Sequence, residues 1–82
     1  MNIEITENYQ TDVKYALSAK VDNCWVEQVG FWRGGCLWAG EITLYNVDTE
    51  TSKRISSTMC APIDAEARAQ YLVSLLVKHG IN

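Results

Sequence analysis

Val13-Lys14-Tyr15-Ala16-Leu17-Ser18-Ala19-Lys20-Val21 sets five apolar residues, Val13, Tyr15, Leu17, Ala19 and Val21, in strict alternation with Lys14, Ala16, Ser18 and Lys20. Period-two alternation belongs to a strand with one face buried. On a helix, where same-face neighbours are three and four apart, it would scatter the apolar groups around the cylinder. Toward the N-terminus, Ile3 and Ile5 alternate with Asn2, Glu4 and Thr6 and predict a brief first strand, set off by the polar stretch from Glu7 to Asp12. Toward the C-terminus, Asp22-Asn23 has turn chemistry, because both side chains can bond their own backbone and tolerate left-handed conformations. A hairpin into a strand from Cys24 to Val29 follows.

Gly30 and the pair Gly34-Gly35 bracket Phe31-Trp32-Arg33, which predicts a loop or a bulged strand end there. From Leu37 to Val47 alternation resumes. Trp38, Ile42 and Leu44 are expected on one side and Glu41, Thr43 and Tyr45 on the other, with Gly40 marking a bulge or a close backbone approach. Asp48-Thr49-Glu50-Thr51-Ser52 reads as a polar turn into a strand from Lys53 to Met59, in which Ile55, Ser57 and Met59 alternate with Arg54, Ser56 and Thr58. Cys60-Ala61-Pro62-Ile63 ends that strand, since proline cannot donate to a ladder. Asp64 then caps a helix from Asp64 to His79, with Glu66 in the first turn suiting the dipole. Its apolar face is Ala65, Ala69, Leu72, Val73 and Leu76, Gly80 supplies the left-handed stop, and Ile81 folds back on Leu76.

The expected fold is α+β: an antiparallel sheet of four to five strands with one C-terminal helix packed on one face, in a single compact domain spanning 1–82. At 82 residues and 48% hydrophobic content the chain suffices for one core. One helix covers a sheet only partly, so part of the sheet is left for solvent, another subunit or a partner.

Several function classes are disfavoured. Ten acidic and seven basic residues give a net charge of -3, which opposes direct nucleic-acid binding. Residues 1–50 hold eight acids and three bases, net -5, and residues 51–82 hold two acids and four bases, net +2. Glu4, Glu7, Asp12, Asp22, Glu27, Glu41, Asp48 and Glu50 therefore make the sheet half acidic. The apolar stretch Tyr71–Val77 is far short of the roughly 20 residues of a membrane span. The start Met1-Asn2-Ile3-Glu4-Ile5 carries no signal-peptide pattern, so a cytoplasmic location is expected. Cys24, Cys36 and Cys60 lack metal-ligand spacing and are expected as reduced, packed thiols; a metal site with His79 carries no spacing signal, and no cofactor is expected. The lone His79 falls at the helix end, where the dipole accounts for it, and no nucleophile, phosphate-loop or metalloprotease motif occurs, so an enzyme is not expected.

All three tryptophans and the only phenylalanine lie within the fourteen positions from Trp25 to Trp38. Phe31 and Trp32 are adjacent, so on a strand only one of the two rings can reach the core. An exposed Trp32 beside Arg33 has hot-spot composition. The candidate partner-binding residues are accordingly Phe31, Trp32 and Arg33, with Glu27, Glu41 and Tyr45 from the flanking strands.

Size, acidity, cysteine use, the stretch Gly30-Phe31-Trp32-Arg33-Gly34-Gly35 and the helix Ala65-Glu66-Ala67-Arg68-Ala69-Gln70-Tyr71 give the chain an architecture that resembles the small acidic α+β proteins carried by phages and other mobile elements, the anti-CRISPR proteins among them. The resemblance implies a non-enzymatic inhibitor that binds a protein partner with a basic surface, such as a Cas or other nucleic-acid-processing complex, in the host cytoplasm. It transfers no functional residue. The inhibitor reading expects an exposed Trp32 and an acidic open sheet face. A second expectation is a structural domain that forms a homodimer through its open sheet face or edge. A third is a small-ligand pocket between helix and sheet lined by Tyr15, Trp25 and Trp38.

Overall fold

The computed structural model describes residues 2–34, 36–56, 60–61 and 64–81. Its elements are β1 (Glu4–Gln10), β2 (Lys14–Val21), β3 (Cys24–Arg33), β4 (Cys36–Asn46), β5 (Thr51–Ser56), β6 (Cys60–Ala61) and α1 (Ala65–Lys78). The strands form one antiparallel sheet in the order β1-β2-β3-β4-β5, and β6 pairs with β4 beyond β5. The class is α+β, as the alternation and the helix signals require, with α1 packed on one face of the sheet.

The alternation in β2 holds for Tyr15, Leu17, Ala19 and Val21, which are buried, and for Lys14 and Lys20, which are exposed, but Val13, just before the strand, is 62% exposed, and Ser18 is buried on the other face. Val26, Leu37, Ile42 and Leu44 join them from the neighbouring strands, and Ala69, Leu72, Val73, Leu75 and Leu76 from α1, to close the core. The helix ends follow their chemistry. Asp64 accepts from the Ala67 amide at 2.9 Å, satisfying a first-turn donor. At the other end Gly80 takes φ +68°, and the amides of Gly80 and Ile81 donate to the carbonyls of Val77 and Leu76 at 3.2 and 2.9 Å. This is the paired closure of a left-handed stop, and it turns Ile81 into the core.

Two boundaries differ from expectation, and a third falls on one of two alternatives. The first strand is longer, because the polar stretch Glu7–Gln10 also pairs with β2, after a register shift between Ile5 and Glu7. Backbone pairing at an edge needs no apolar side chains. Of the loop and the bulged strand end expected at Phe31-Trp32-Arg33, the structure has a strand end: β3 runs through it to Arg33 and pairs Trp32 with Leu37, just past a register shift between Gln28 and Gly30. Cys60 and Ala61, expected to end a strand, form a short one against Trp38 and Leu37. Residues 57–59 and 62–63 of the expected strand and its proline break lie outside the described residues.

Gly40 is a bulge, and it changes which side chains point inward. Gln28 pairs with Ile42 and Gly30 with Ala39, so one residue of β3 faces two of β4. A Cβ on Gly40 would sit 2.5 Å from the Val29 carbonyl oxygen, so the close approach requires glycine. Beyond the bulge Ile42, Leu44 and Asn46 point inward, whereas before it the inward residue is Leu37. Trp38, expected beside Ile42 and Leu44, is therefore on the opposite face, across from Phe31.

Candidate functional site

The face of the sheet away from α1 is the site, and it follows from the register. Across the strands run the rows Glu4-Lys20-Trp25-Tyr45-Ser52, Glu7-Ser18-Glu27-Thr43-Arg54, Tyr9-Ala16-Val29 with Glu41 and Ser56, and Lys14-Phe31-Trp38. One end of the face is apolar and open: Tyr9 is 53%, Val29 48% and Phe31 47% exposed, with half-buried Ala16 and Trp38 beside them, and the next row, Glu7-Ser18-Glu27-Thr43-Arg54, is polar. Trp38 is oriented by its Nε1–H, which donates to the Arg33 carbonyl at 3.3 Å. Contiguous apolar side chains rimmed by polar ones are the composition of a contact surface rather than of ordinary solvated sheet.

Five of the six expected partner-contact residues, Phe31, Arg33, Glu27, Glu41 and Tyr45, project from this face. Trp32 does not. It points inward, packs against the core and meets Tyr15 edge-on with ring centroids 6.1 Å apart, so its expected exposure is corrected. One ring of the Phe31-Trp32 pair is outside, as strand geometry demands, and it is Phe31.

The expected acidic open face is also corrected. Glu4, Glu7, Glu27 and Glu41 are balanced on it by Lys14, Lys20, Arg33 and Arg54, four of each sign. Arg54 Nε lies 3.8 Å from Glu41 Oε1, an exposed pair of small energetic weight. The net charge of -3 resides elsewhere: Asp12, Asp22, Asp48, Glu50, Asp64 and Glu66 against Lys53, Arg68 and Lys78.

Tyr15, Trp25 and Trp38 cannot line one pocket, because Tyr15 faces the core and the two tryptophans face away from it. An open cleft of about 430 Å³ lies instead between β1 and α1, lined by Ile3, Ile5, Glu66, Ala69 and Gln70. Among the described residues that line it, Glu66 is the one charged group.

Under α1 lies a polar cluster that alternation does not announce. Arg68 is buried, its Nε donates to Gln28 Oε1, and its guanidinium stands 4.5 Å from the centre of the Tyr71 ring. Among the described residues, Gln28 Nε2, the Tyr15 hydroxyl and Trp32 Nε1 are buried without a hydrogen-bond partner. Burial lowers the Arg68 pKa and raises that of Tyr15, the latter opposed by the nearby guanidinium. The position of Gln28 was legible after all: Cys24, Val26, Gln28, Gly30 and Trp32 share one side of β3, so extending the inward set along the strand places both Gln28 and Trp32 inside.

At the far end of the sheet Asn46 is buried. Its Nδ2 donates to the Ile81 carbonyl at 2.8 Å, while its Oδ1 accepts from the amides of Asp48 and Thr49 at 3.0 and 3.1 Å. Cys24 is a free, buried thiol whose pKa is raised by burial and by Asp22 and Asp48. Cys36 is disulfide-bonded, so the expectation of three reduced thiols is corrected for that residue. His79 is the helix C-cap; partial desolvation together with Lys53 and Lys78 holds its pKa below the ordinary imidazole value. Among the described residues no three His, Cys, Asp or Glu side chains gather as metal ligands, and no helix is long and apolar enough to cross a membrane.

No family model, no curated protein and no solved structure matches the chain.

Proposed function

We propose that this protein is a non-enzymatic interaction module that binds a protein partner through the open face of its sheet. The supporting observation is the exposed group Tyr9, Val29 and Phe31, backed by Trp38 and rimmed by charges of both signs, on the face that α1 leaves uncovered. Rigid aromatic area bordered by polar groups is how binding surfaces concentrate their affinity. An inhibitor of the anti-CRISPR kind, directed at a basic surface of a nucleic-acid-processing complex, is a narrower form of this reading. Its support is the overall charge, gathered in the turns at Asp22, Asp48 and Glu50 rather than on the open face. Self-association is a second reading, favoured by the balanced charges of the face. A cytoplasmic setting belongs to the proposal as well. The disulfide of Cys36 is what that setting has to accommodate, since reducing compartments open such bonds.

The test is a nuclease-treated pull-down from the source cells, comparing the wild type with Val29→Lys plus Phe31→Lys and with Val77→Lys on the exposed side of α1. A stoichiometric protein, including an untagged copy of the chain, should be retained by wild type and Val77→Lys and lost from the double variant. Equal capture by all three would refute docking at the open face.

A further inference from the structure

Resting on the open face as the docking site, we infer that its occupant is a second copy of this chain, packed sheet to sheet about a two-fold axis that runs along β3. The charges select this arrangement. Across the open face β1 carries Glu4 and Glu7, β2 carries Lys14 and Lys20, β3 carries Glu27 and Arg33, β4 carries Glu41 and β5 carries Arg54. Two aligned sheets related by a two-fold in their contact plane can have the axis across the strands or along them. With the axis across the strands, midway along the face, each strand meets its own copy reversed, which sets Lys14 over Lys20 of the other copy and places no carboxylate opposite a cation.

With the axis along β3 the order inverts. Glu7 then lies over Arg54 of the other copy, and Glu4 over Ser52. Lys14 lies over the Trp38 ring and Lys20 over the Tyr45 ring of the other copy, cation–π contacts at both ends of β2, while Ala16 faces Glu41. Val29 and Phe31, on the axis strand, bury each other's copies. Arg33, at the end of β3, stays at the rim.

The area is adequate. Five strands about 4.8 Å apart and about eight residues long give a face of about 24 by 26 Å. Two such faces remove on the order of 1,200 Å² from solvent, at the lower end of what specific association needs. The arrangement carries one cost, and that cost is its signature: half-buried Glu27, in the middle of β3, meets its own copy near the axis. Removing that charge should strengthen the dimer.

Sedimentation equilibrium of the whole chain from about 1 µM to about 1 mM, the range expected for an interface of this size, tests the inference. The mass should rise with concentration from 9.2 kDa toward twice that value. Val29→Lys plus Phe31→Lys should abolish the rise while leaving the circular dichroism and melting temperature unchanged. Glu27→Gln should tighten association about tenfold, equivalent to ~1.4 kcal/mol. Arg54→Glu should weaken it, and Glu7→Arg added to that variant should restore it. A monomer throughout the range overturns the inference, as does a dimer indifferent to the double lysine variant, weakened by Glu27→Gln, or not restored by the charge exchange. A monomeric chain that still captures another protein through Val29 and Phe31 refutes the dimer and leaves the interaction module standing. A monomeric chain that captures nothing refutes both.

Discussion

Replacing Gln28 and Arg68 together should leave the protein at least as stable as it is, although each replacement alone weakens it. Both side chains are buried, and their mutual hydrogen bond is the only one either makes among the described residues. Gln28→Leu strands a buried guanidinium, a loss of about 3–5 kcal/mol, but also removes the orphan Nε2, worth about 1–3 kcal/mol, for a net destabilisation of about 2 kcal/mol. Arg68→Met relieves the desolvation of the charge, loses a charge-assisted bond and the Tyr71 ring contact, and orphans Gln28 Oε1, for a net destabilisation of about 1 kcal/mol. The double variant leaves neither a buried charge nor an orphan amide and should fall between the wild type and about 1 kcal/mol above it. The coupling is then about 3 kcal/mol. Urea titration followed by tryptophan fluorescence reads all four corners of the cycle. In a domain of this size the Gln28→Leu variant should melt roughly 10 °C lower, and the double variant at or above the wild type. If the double variant loses as much as the two singles summed, the pair is net stabilising and the reasoning about unpaired buried polar groups is wrong.

Gly40→Ala should destabilise by about 1–3 kcal/mol, because its Cβ must displace the Val29 carbonyl, which would stand 2.5 Å away; a denaturation midpoint equal to wild type would refute the close approach. Asn46→Ala should lose about 2–3 kcal/mol and raise hydrogen exchange at the amides of Asp48 and Thr49, which lose their acceptor. His79 has a folded pKa below its unfolded value, so the unfolded chain binds the proton more tightly. Stability should be full above pH 6.5 and fall as pH drops below it, and His79→Gln should remove that part of the decline in urea melts taken between pH 8 and pH 5. Reducing agent should lower stability by about 2–4 kcal/mol and make the intact chain two hydrogens heavier by mass spectrometry, with Cys24 unlabelled by thiol reagents until the protein unfolds.

The fold was legible where periodicity and end chemistry agree. Alternation from Val13 to Val21, the Asp64 cap and the Gly80 stop each have a local physical cause, and each is in place. Parity around Gly40 was not legible. The glycine signals a bulge, but which of Leu37 and Trp38 turns inward depends on the residue at which pairing slips, and that is a property of two strands together. A loop or a bulged strand end at Phe31-Trp32-Arg33 leaves open which of the two rings faces out. Continuous alternation from Cys24 sends Trp32 inward and Phe31 outward. Asn46 and Arg68 are not expected inside, because a polar residue in a pattern counts as outward-facing unless its partner is known, and Gln28 is placed inside only by its register in β3. The partners here are distant: Gln28 and Arg68 are 40 positions apart, and Asn46 and Ile81 are 35. The neutrality of the open face was hidden for a related reason, since charge summed along the chain says nothing of which carboxylates the turns remove from the sheet.

A meander followed by its covering helix imposes an order on biosynthesis. Each of β1 to β5 pairs with the strand made just before or after it, so hairpins can form as soon as they leave the ribosome. Until α1 has emerged, however, Leu17, Val26, Ile42 and Leu44 have nothing to pack against, and the nascent sheet presents its whole core face to water. For that interval the chain has the character of a client for holding chaperones, and docking of Leu72 and Leu76 is the event that ends it.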